Sequence, residues 1–245
     1  MIQENIHNIV AELPAGVRLV AVSKLKPAED IMEAYGAGQR LFGENYATEL
    51  RDKAAVLPTD IEWHFIGHLQ GKQLKYYMPF VSMIHGVDSL EHLAEVEKAA
   101  AKVGRVVDVL LQVHVAKEET KFGFAPEELL VESEKWKSGK SADGNESSNL
   151  SPFTFHLSSL QHVHVCGVMG MASNTPDTER VRADFHAIRG IFERLKAGAF
   201  ADRPEFKEVS MGMSHDWRIA VDEGSTMVRL GTSIFGQRDY SKLKQ

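Results

Sequence analysis

The chain has 245 residues, 43% hydrophobic and 25% charged, with a formal charge of -6 and a pI near 6.0. That is the balance of an ordinary globule with a sizeable core, not of a disordered or fibrous chain, and the lack of net positive charge disfavours nucleic acid and anionic membranes as partners. The single cysteine, Cys166, excludes an intrachain disulfide and a cysteine-based zinc site, and neither a signal peptide nor a stretch of membrane-spanning length is present, so a cytoplasmic protein is expected.

In chain order, Ile6, Ile9, Val10 and Leu13 recur at helical spacing and predict a leading helix over Ile2 to Leu13, ended by Pro14 and Gly16. RLVAVSK, Arg18 to Lys24, is a short apolar run ending in polar residues, and Pro27 opens a helix over Ala28 to Tyr35. This strand-then-helix unit repeats. LFGE precedes Asn45 to Val56, EWHFIG precedes Leu69 to Tyr77, MIHGVD precedes Ser89 to Val103, and RVVDVLLQVHV precedes Pro126 to Trp136. HVHVCGVMGM is followed by Thr178 to Leu195, where Val181, Phe185, Ile188, Phe192 and Leu195 form one stripe. FKEVSMGM with a helix over Asp216 to Glu223, and finally MVRLGTSIFG, complete the series.

Strands so continuously apolar suit a sheet covered on both faces, and eight of them alternating with helices predict a single-domain (β/α)8 TIM barrel over 1-245 with an extra N-terminal helix. A doubly wound open sheet is the competing arrangement, but it places a glycine-rich turn after the first strand, where this chain has Ser23-Lys24-Leu25-Lys26-Pro27. Lys137 to Pro152, KSGKSADGNESSNLSP, breaks the rhythm and reads as a mobile surface insertion.

A barrel gathers the ends of its strands on one rim. That rim would carry Lys24; Glu44 and Asn45; His64, Gly67 and His68; Asp88; Met169 and Met171; Ser210 to Ser214; and Arg229 to Thr232. Small and hydroxylated residues at Ser214 and Gly231-Thr232 let backbone N–H groups approach an anion, and phosphate is commonly held after strands seven and eight. A strand-end lysine is unusual because burial lowers its pKa, which is what a Schiff-base lysine needs; the competing reading is a lysine that snorkels to solvent. Lys26, beside Pro27, is expected to face solvent. A lysine opposite a phosphate cradle and an arginine is the set of groups that pyridoxal 5'-phosphate (PLP) requires. His162 and His164 alternate along a strand and are read as strand residues, the rim histidines His64, His68 and His85 as placed there by chance, the methionines as filling the barrel top, and Glu118, Glu119 and Lys121 as a charged loop.

The segments AVSKLKP, FGENY, WHFIGHLQ, GVDS, KFGF, GVMGM and MGMSHDWRIAVDEGSTMVRLGTSIFG resemble the pyridoxal-phosphate homeostasis protein family, single-domain relatives of the N-terminal barrel of alanine racemase. The resemblance implies that Lys24 is the Schiff-base lysine, that Ser214, Gly231 and Thr232 hold the phosphate, that Arg229 sits at the pyridine nitrogen, and that Asn45 and Met213 line the cofactor. The chain departs from the family pattern after its third strand, where His68 to Gln73 replaces a small run ending in Asn-Lys.

Racemisation needs a proton donor or acceptor on each face of the substrate's α-carbon. The resemblance supplies only Lys24, because the second base of alanine racemase belongs to a C-terminal domain, and an arginine at the pyridine nitrogen weakens the ring as an electron sink. The expectation is a PLP-holding homeostasis protein without clear turnover. The alternatives are a weak or specialised PLP-dependent amino-acid racemase and a cofactor-free barrel enzyme acting on a phosphorylated small molecule. Expected partners are PLP and apo-PLP enzymes, with no nucleic acid and no membrane, in a monomer or weak dimer.

Overall fold

The structure is a computed structural model that describes residues 1–116, 122–138, 157 and 160–238. The charged loop at Glu118, Glu119 and Lys121 lies outside those residues, as does the insertion apart from Lys137 and Ser138, which end a helix.

Eight parallel strands close into a barrel in sequence order: β1 Arg18–Val22, β2 Leu41–Glu44, β3 Glu62–Phe65, β4 Met83–Val87, β5 Val107–Val113, β6 Val163–Gly170, β7 Glu208–Ser210 and β8 Met227–Leu230. The helices are α1 Ile2–Glu12, preceding β1, then α2 Ala28–Gly36, α3 Ala47–Ala54, α4 Leu90–Lys102, α5 Pro126–Ser138, α6 Thr178–Ala197, α7 Trp217–Asp222 and α8 Thr232–Phe235. The closed barrel, not the open sheet, is therefore the fold, and β8 pairs with β1, Val20 lying opposite Arg229 and Ala21 opposite Leu230. Among the described residues no helix is long and apolar enough to cross a membrane.

Strand alternation divides the core in two. Val20, Met83, Leu110, Cys166, Met169 and Met227 pack together inside the barrel. Leu19, Ala21, Phe42, Phe65, Ile84 and Val228 face outward into the larger core beneath the helices. The α6 stripe lies wholly in that outer core, as its periodicity requires, and the helix starts where Asp177 accepts hydrogen bonds from Glu179 N and Arg180 N.

Two elements differ from expectation. Leu69 to Tyr77 holds only a 3-10 turn, Gly71–Tyr76, in which Leu74 alone is buried. One apolar contact per turn does not hold an α-helix against a sheet, and Tyr77 is anchored separately by stacking on Phe65 at 4.4 Å. β7 has three residues where eight were expected. At Gly212 (φ 94°) the chain leaves the sheet in a left-handed turn, and a Cβ there would collide with the Cβ of Ala220.

Candidate functional site

Alternation carries the interior phase of β1 from Val20 through Val22 to Lys24, which is half-buried in the turn between β1 and α2. The interior phase of β8 runs Met227, Arg229, Gly231. Because β1 and β8 are neighbours, the Lys24 turn lies beside Gly231, and a Cβ on Gly231 would stand 3.2 Å from the Val22 carbonyl and strike the Arg238 guanidinium. Only a glycine allows this approach.

Ser214 joins the same corner. Its Oγ accepts hydrogen bonds from Gly231 N at 3.2 Å and Ser233 N at 3.4 Å, and Ser233 Oγ donates back to Ser214 O at 3.3 Å. Two backbone N–H groups thus converge on one oxygen, the geometry of an anion cradle. Thr232 opens α8 next to them and is half-buried. The turn bearing Ser214 is shaped by Asp216, a buried carboxylate that accepts from Met213 N at 2.5 Å; Met213 itself is half-buried. Lys26, expected to face solvent, instead donates from Nζ to the carbonyls of Phe235 at 2.7 Å and Gln237 at 2.9 Å, tying the Lys24 turn to the end of α8.

Arg229 is 5% exposed. Its Nη1 donates to Ser210 Oγ at 2.7 Å and its Nη2 to Gly170 O at 3.0 Å. Burial lowers its pKa to about 10, against the pull of Asp216, so it remains a cation at neutral pH. From Ser210 a polar chain crosses the barrel interior: Ser210 Oγ lies 3.1 Å from His85 Nδ1, and His85 Nε2 lies 2.9 Å from His64 Nδ1. A hydroxyl already accepting from Arg229 keeps its own proton for His85 Nδ1, which leaves the His85 Nε2–H to donate to His64. The reverse order would strand the hydroxyl proton, because Ser210 Oγ has no other partner among the described residues. Both imidazoles are held neutral by burial, His64 being pushed down to about 3 and His85, which also feels His64 and Arg229, well below the ordinary range. Neither is a rim residue placed there by chance; both sit in the interior.

Asn45 stands at the β2 end of the rim, half-buried, and its Oδ1 is buried without a hydrogen-bond partner among the described residues. A buried amide oxygen left open is costly and marks a point where a donor is accommodated. Glu44, its neighbour, was grouped with the rim but points outward to α3, where Oε1 accepts from Ser23 Oγ at 2.6 Å and Lys53 Nζ at 2.7 Å. Burial raises its pKa to about 7 even though Lys53 pulls it down. The period of two already placed Glu44 on the opposite face from Asn45, a signal available in the sequence. The link from Arg229 to His64 had no such signal, since it joins four strands.

Other expectations resolve simply. His162 and His164 pair with separate carboxylates, Glu97 at 2.9 Å and Asp108 at 3.4 Å, and among the described residues there is no cluster of three or more His, Cys, Asp or Glu that could hold a metal. His68 stacks on Phe122 at 3.6 Å. Met169 fills the barrel interior, whereas Met211 belongs to the outer core.

An eight-stranded parallel barrel with a rim lysine, a hydroxyl-lined backbone cradle and a buried arginine defines the class of the alanine racemase N-terminal domain, and residues 1–239 match that family. Within it the chain belongs to the pyridoxal phosphate homeostasis protein family. It is 37% identical over 224 residues to the pyridoxal phosphate homeostasis protein of Aquifex aeolicus, covering 91% of this chain and 88% of that protein. It is 36% identical over 259 residues to the human one, covering 98% and 86%. PipY of Synechococcus elongatus, solved without PLP and with PLP bound, superposes with TM-scores of 0.82 and 0.80 at 34% identity, covering 96% of this chain and all of that one. An alanine racemase of Clostridium difficile, 15% identical with a TM-score of 0.67, shares the fold across 98% of this chain and 60% of its own.

Proposed function

We propose that this protein binds PLP through a Schiff base to Lys24 and holds it as part of PLP homeostasis without turning over a substrate. The observation that carries this reading is the β1/β8 seam, which sets the Lys24 turn against Gly231 and the Ser214 cradle while Arg229 rises from the same strand. The residues suit the cofactor on three counts. The N–H groups of Gly231 and Ser233, which converge on Ser214 Oγ, with Thr232 adjacent in the chain, suit a phosphate. Asn45 offers a buried oxygen with no hydrogen-bond partner among the described residues. Arg229 is cationic and keeps further N–H groups beyond the two that bind Ser210 and Gly170.

When bound, PLP supplies an electrophilic aldehyde and a ring able to accept electrons. Lys24 would hold the cofactor at that aldehyde through its neutral amine. Arg229 would face the pyridine nitrogen, and a permanently charged donor there would disfavour a protonated ring and its electron-accepting character. The Arg229–Ser210–His85–His64 chain holds the guanidinium in place with neutral groups, so the chain itself adds no second charge. Met213, half-buried in the turn that bears Ser214, would line the site. The family name carried by the Aquifex and human relatives and the PLP-bound PipY structure support the same reading. Delivery of the held cofactor to apo-PLP enzymes follows from a bond that water or another amine reverses.

The decisive measurement is an absorbance spectrum before and after borohydride, followed by peptide mapping. Wild type shows a long-wavelength band that reduction abolishes, with the reduced adduct on Lys24, and Lys24→Ala shows no band. A Lys24→Ala protein that keeps the band overturns the lysine assignment. Incubation of the loaded protein with single-enantiomer amino acids in D2O leaves their α-protons unexchanged; exchange accompanied by appearance of the opposite enantiomer would instead establish a racemase.

A further inference from the structure

Outside the barrel, behind the Lys24 turn, an ammonium group is buried where the site itself has no use for it. Lys53, on α3, is 8% exposed, and its Nζ donates to three oxygens: Ser23 O at 2.8 Å, Glu44 Oε1 at 2.7 Å and Glu49 Oε1 at 2.7 Å. All three of these contacts lead back to the residues flanking Lys24. Ser23 is held directly through its carbonyl and again through its hydroxyl, which donates to Glu44 Oε1 at 2.6 Å. Leu25 is held through Glu49, whose Oε1 accepts from Leu25 N at 2.7 Å.

Leu25 is also the one non-glycine residue with positive φ among those described, at 60°. A side chain there disfavours the left-handed region by about 1 kcal/mol or more, so the turn needs an external partner to hold it. Glycine at position 25 would relieve that cost but would free the backbone next to Lys24. Buried ion pairs contribute little net stability over an apolar packing of similar size. What this one does provide is a fixed conformation on both sides of a single residue.

We propose that Lys53, acting with Glu44 and Glu49, is the positioning residue for Lys24: its ammonium clamps the Ser23 carbonyl and, through Glu49, the Leu25 amide, and so sets the direction of the Lys24 side chain into the barrel mouth. The clamp does not touch the cofactor. It acts on the geometry of imine formation and leaves the phosphate cradle at β8 unaffected. The proposal rests on the reading that Lys24 forms the covalent bond to PLP.

The test compares two ligands on wild type, Glu49→Ala, Glu49→Gln and Lys53→Met: PLP, which can bond to Lys24, and pyridoxine 5'-phosphate, which has the same ring and phosphate but no aldehyde. The readouts are the PLP-dependent band, the yield of borohydride-trapped Lys24 peptide, quenching of intrinsic fluorescence by either ligand, and the melting temperature of the ligand-free protein. Glu49→Ala loses a hydrogen bond to a charged acceptor and weakens PLP binding by about tenfold, with a lower trapped yield and unchanged affinity for pyridoxine phosphate. Glu49→Gln, which keeps an acceptor for Leu25 N, recovers most of the PLP affinity. Lys53→Met reproduces the Glu49→Ala pattern; should it fail to fold, Glu49→Ala decides, since that carboxylate is already 20% exposed. Equal loss for both ligands would assign the clamp a purely structural role and overturn the proposal, as would wild-type PLP affinity in Glu49→Ala. If wild type itself traps no adduct on Lys24, the lysine assignment falls first and the clamp with it, a result visible before any variant is made.

Discussion

Replacing His64 with glutamine tests the polar chain that steadies Arg229. In the folded protein the His64 imidazole stays neutral down to about pH 3, whereas an exposed histidine in the unfolded chain takes up its proton near pH 6.5. Between those values the unfolded state binds one more proton than the folded state, so stability falls as the pH drops, by about 1.4 kcal/mol per unit. From pH 6.5 to 4.5 the loss assignable to His64 is about 2.5 kcal/mol. Glutamine cannot take up that proton, yet its amide oxygen can accept the His85 Nε2–H as His64 Nδ1 does at 2.9 Å. The variant should be less stable than wild type by about 1 kcal/mol at pH 8, where an imperfect hydrogen bond is its main defect. The gap should close and then reverse as the pH falls to 4.5. Glu44 and His85 titrate in both proteins and largely cancel in the difference. Urea unfolding followed by tryptophan fluorescence at pH 8, 6.5, 5.5 and 4.5 measures it. A difference between the two proteins that stays constant across that range would refute the assignment of His64 as a buried neutral group.

Glu44 works in the opposite direction: its folded pKa, raised to about 7, means that the folded state holds the extra proton between about pH 4.5 and 7, so its contribution falls as pH rises through that window. Glu44→Gln should therefore lose stability more steeply than wild type on acidification, as read by the same unfolding series. Ser214→Ala removes the acceptor shared by Gly231 N and Ser233 N; it should cost about 1 kcal/mol in urea unfolding and weaken pyridoxine phosphate as well as PLP. Gly231→Ala places a methyl group against Arg238 and the Val22 carbonyl, and should reduce PLP affinity at least about tenfold by fluorescence titration. Arg229→Met leaves Ser210 Oγ and Gly170 O without their donor; a loss of about 3 kcal/mol is expected in ligand-free unfolding, together with a changed absorbance spectrum of the bound cofactor.

Much of this architecture was legible before any fold. Apolar runs separated by amphipathic helices marked all eight strands, and the period of two within β1 and β8 put Lys24, Arg229 and Gly231 on the phase that faces the barrel interior. The same period sent Glu44 outward, although a list of strand-end residues grouped it with the rim. Leu69 to Tyr77 follows its strand where the repeat predicts a helix, and Leu69, Leu74 and Tyr77 are buried, yet the segment forms only a 3-10 turn, with Gly71 so close to the Glu95 carboxylate that a Cβ would collide with it.

What the sequence by itself determined is local: which segments are strands, which face each residue takes, and which side chains stand at strand ends. Those properties depend on neighbours two to four positions away. Tertiary structure alone decided the register in which β8 closes onto β1, bringing Arg229 opposite Val20; that Lys26 reaches Phe235 and Gln237 rather than solvent; and that Ser210 meets His85 across 125 residues of chain. Polar groups such as these carry no periodic signature. Each finds its partner only when closure of the barrel removes water and leaves the nearest available donor or acceptor.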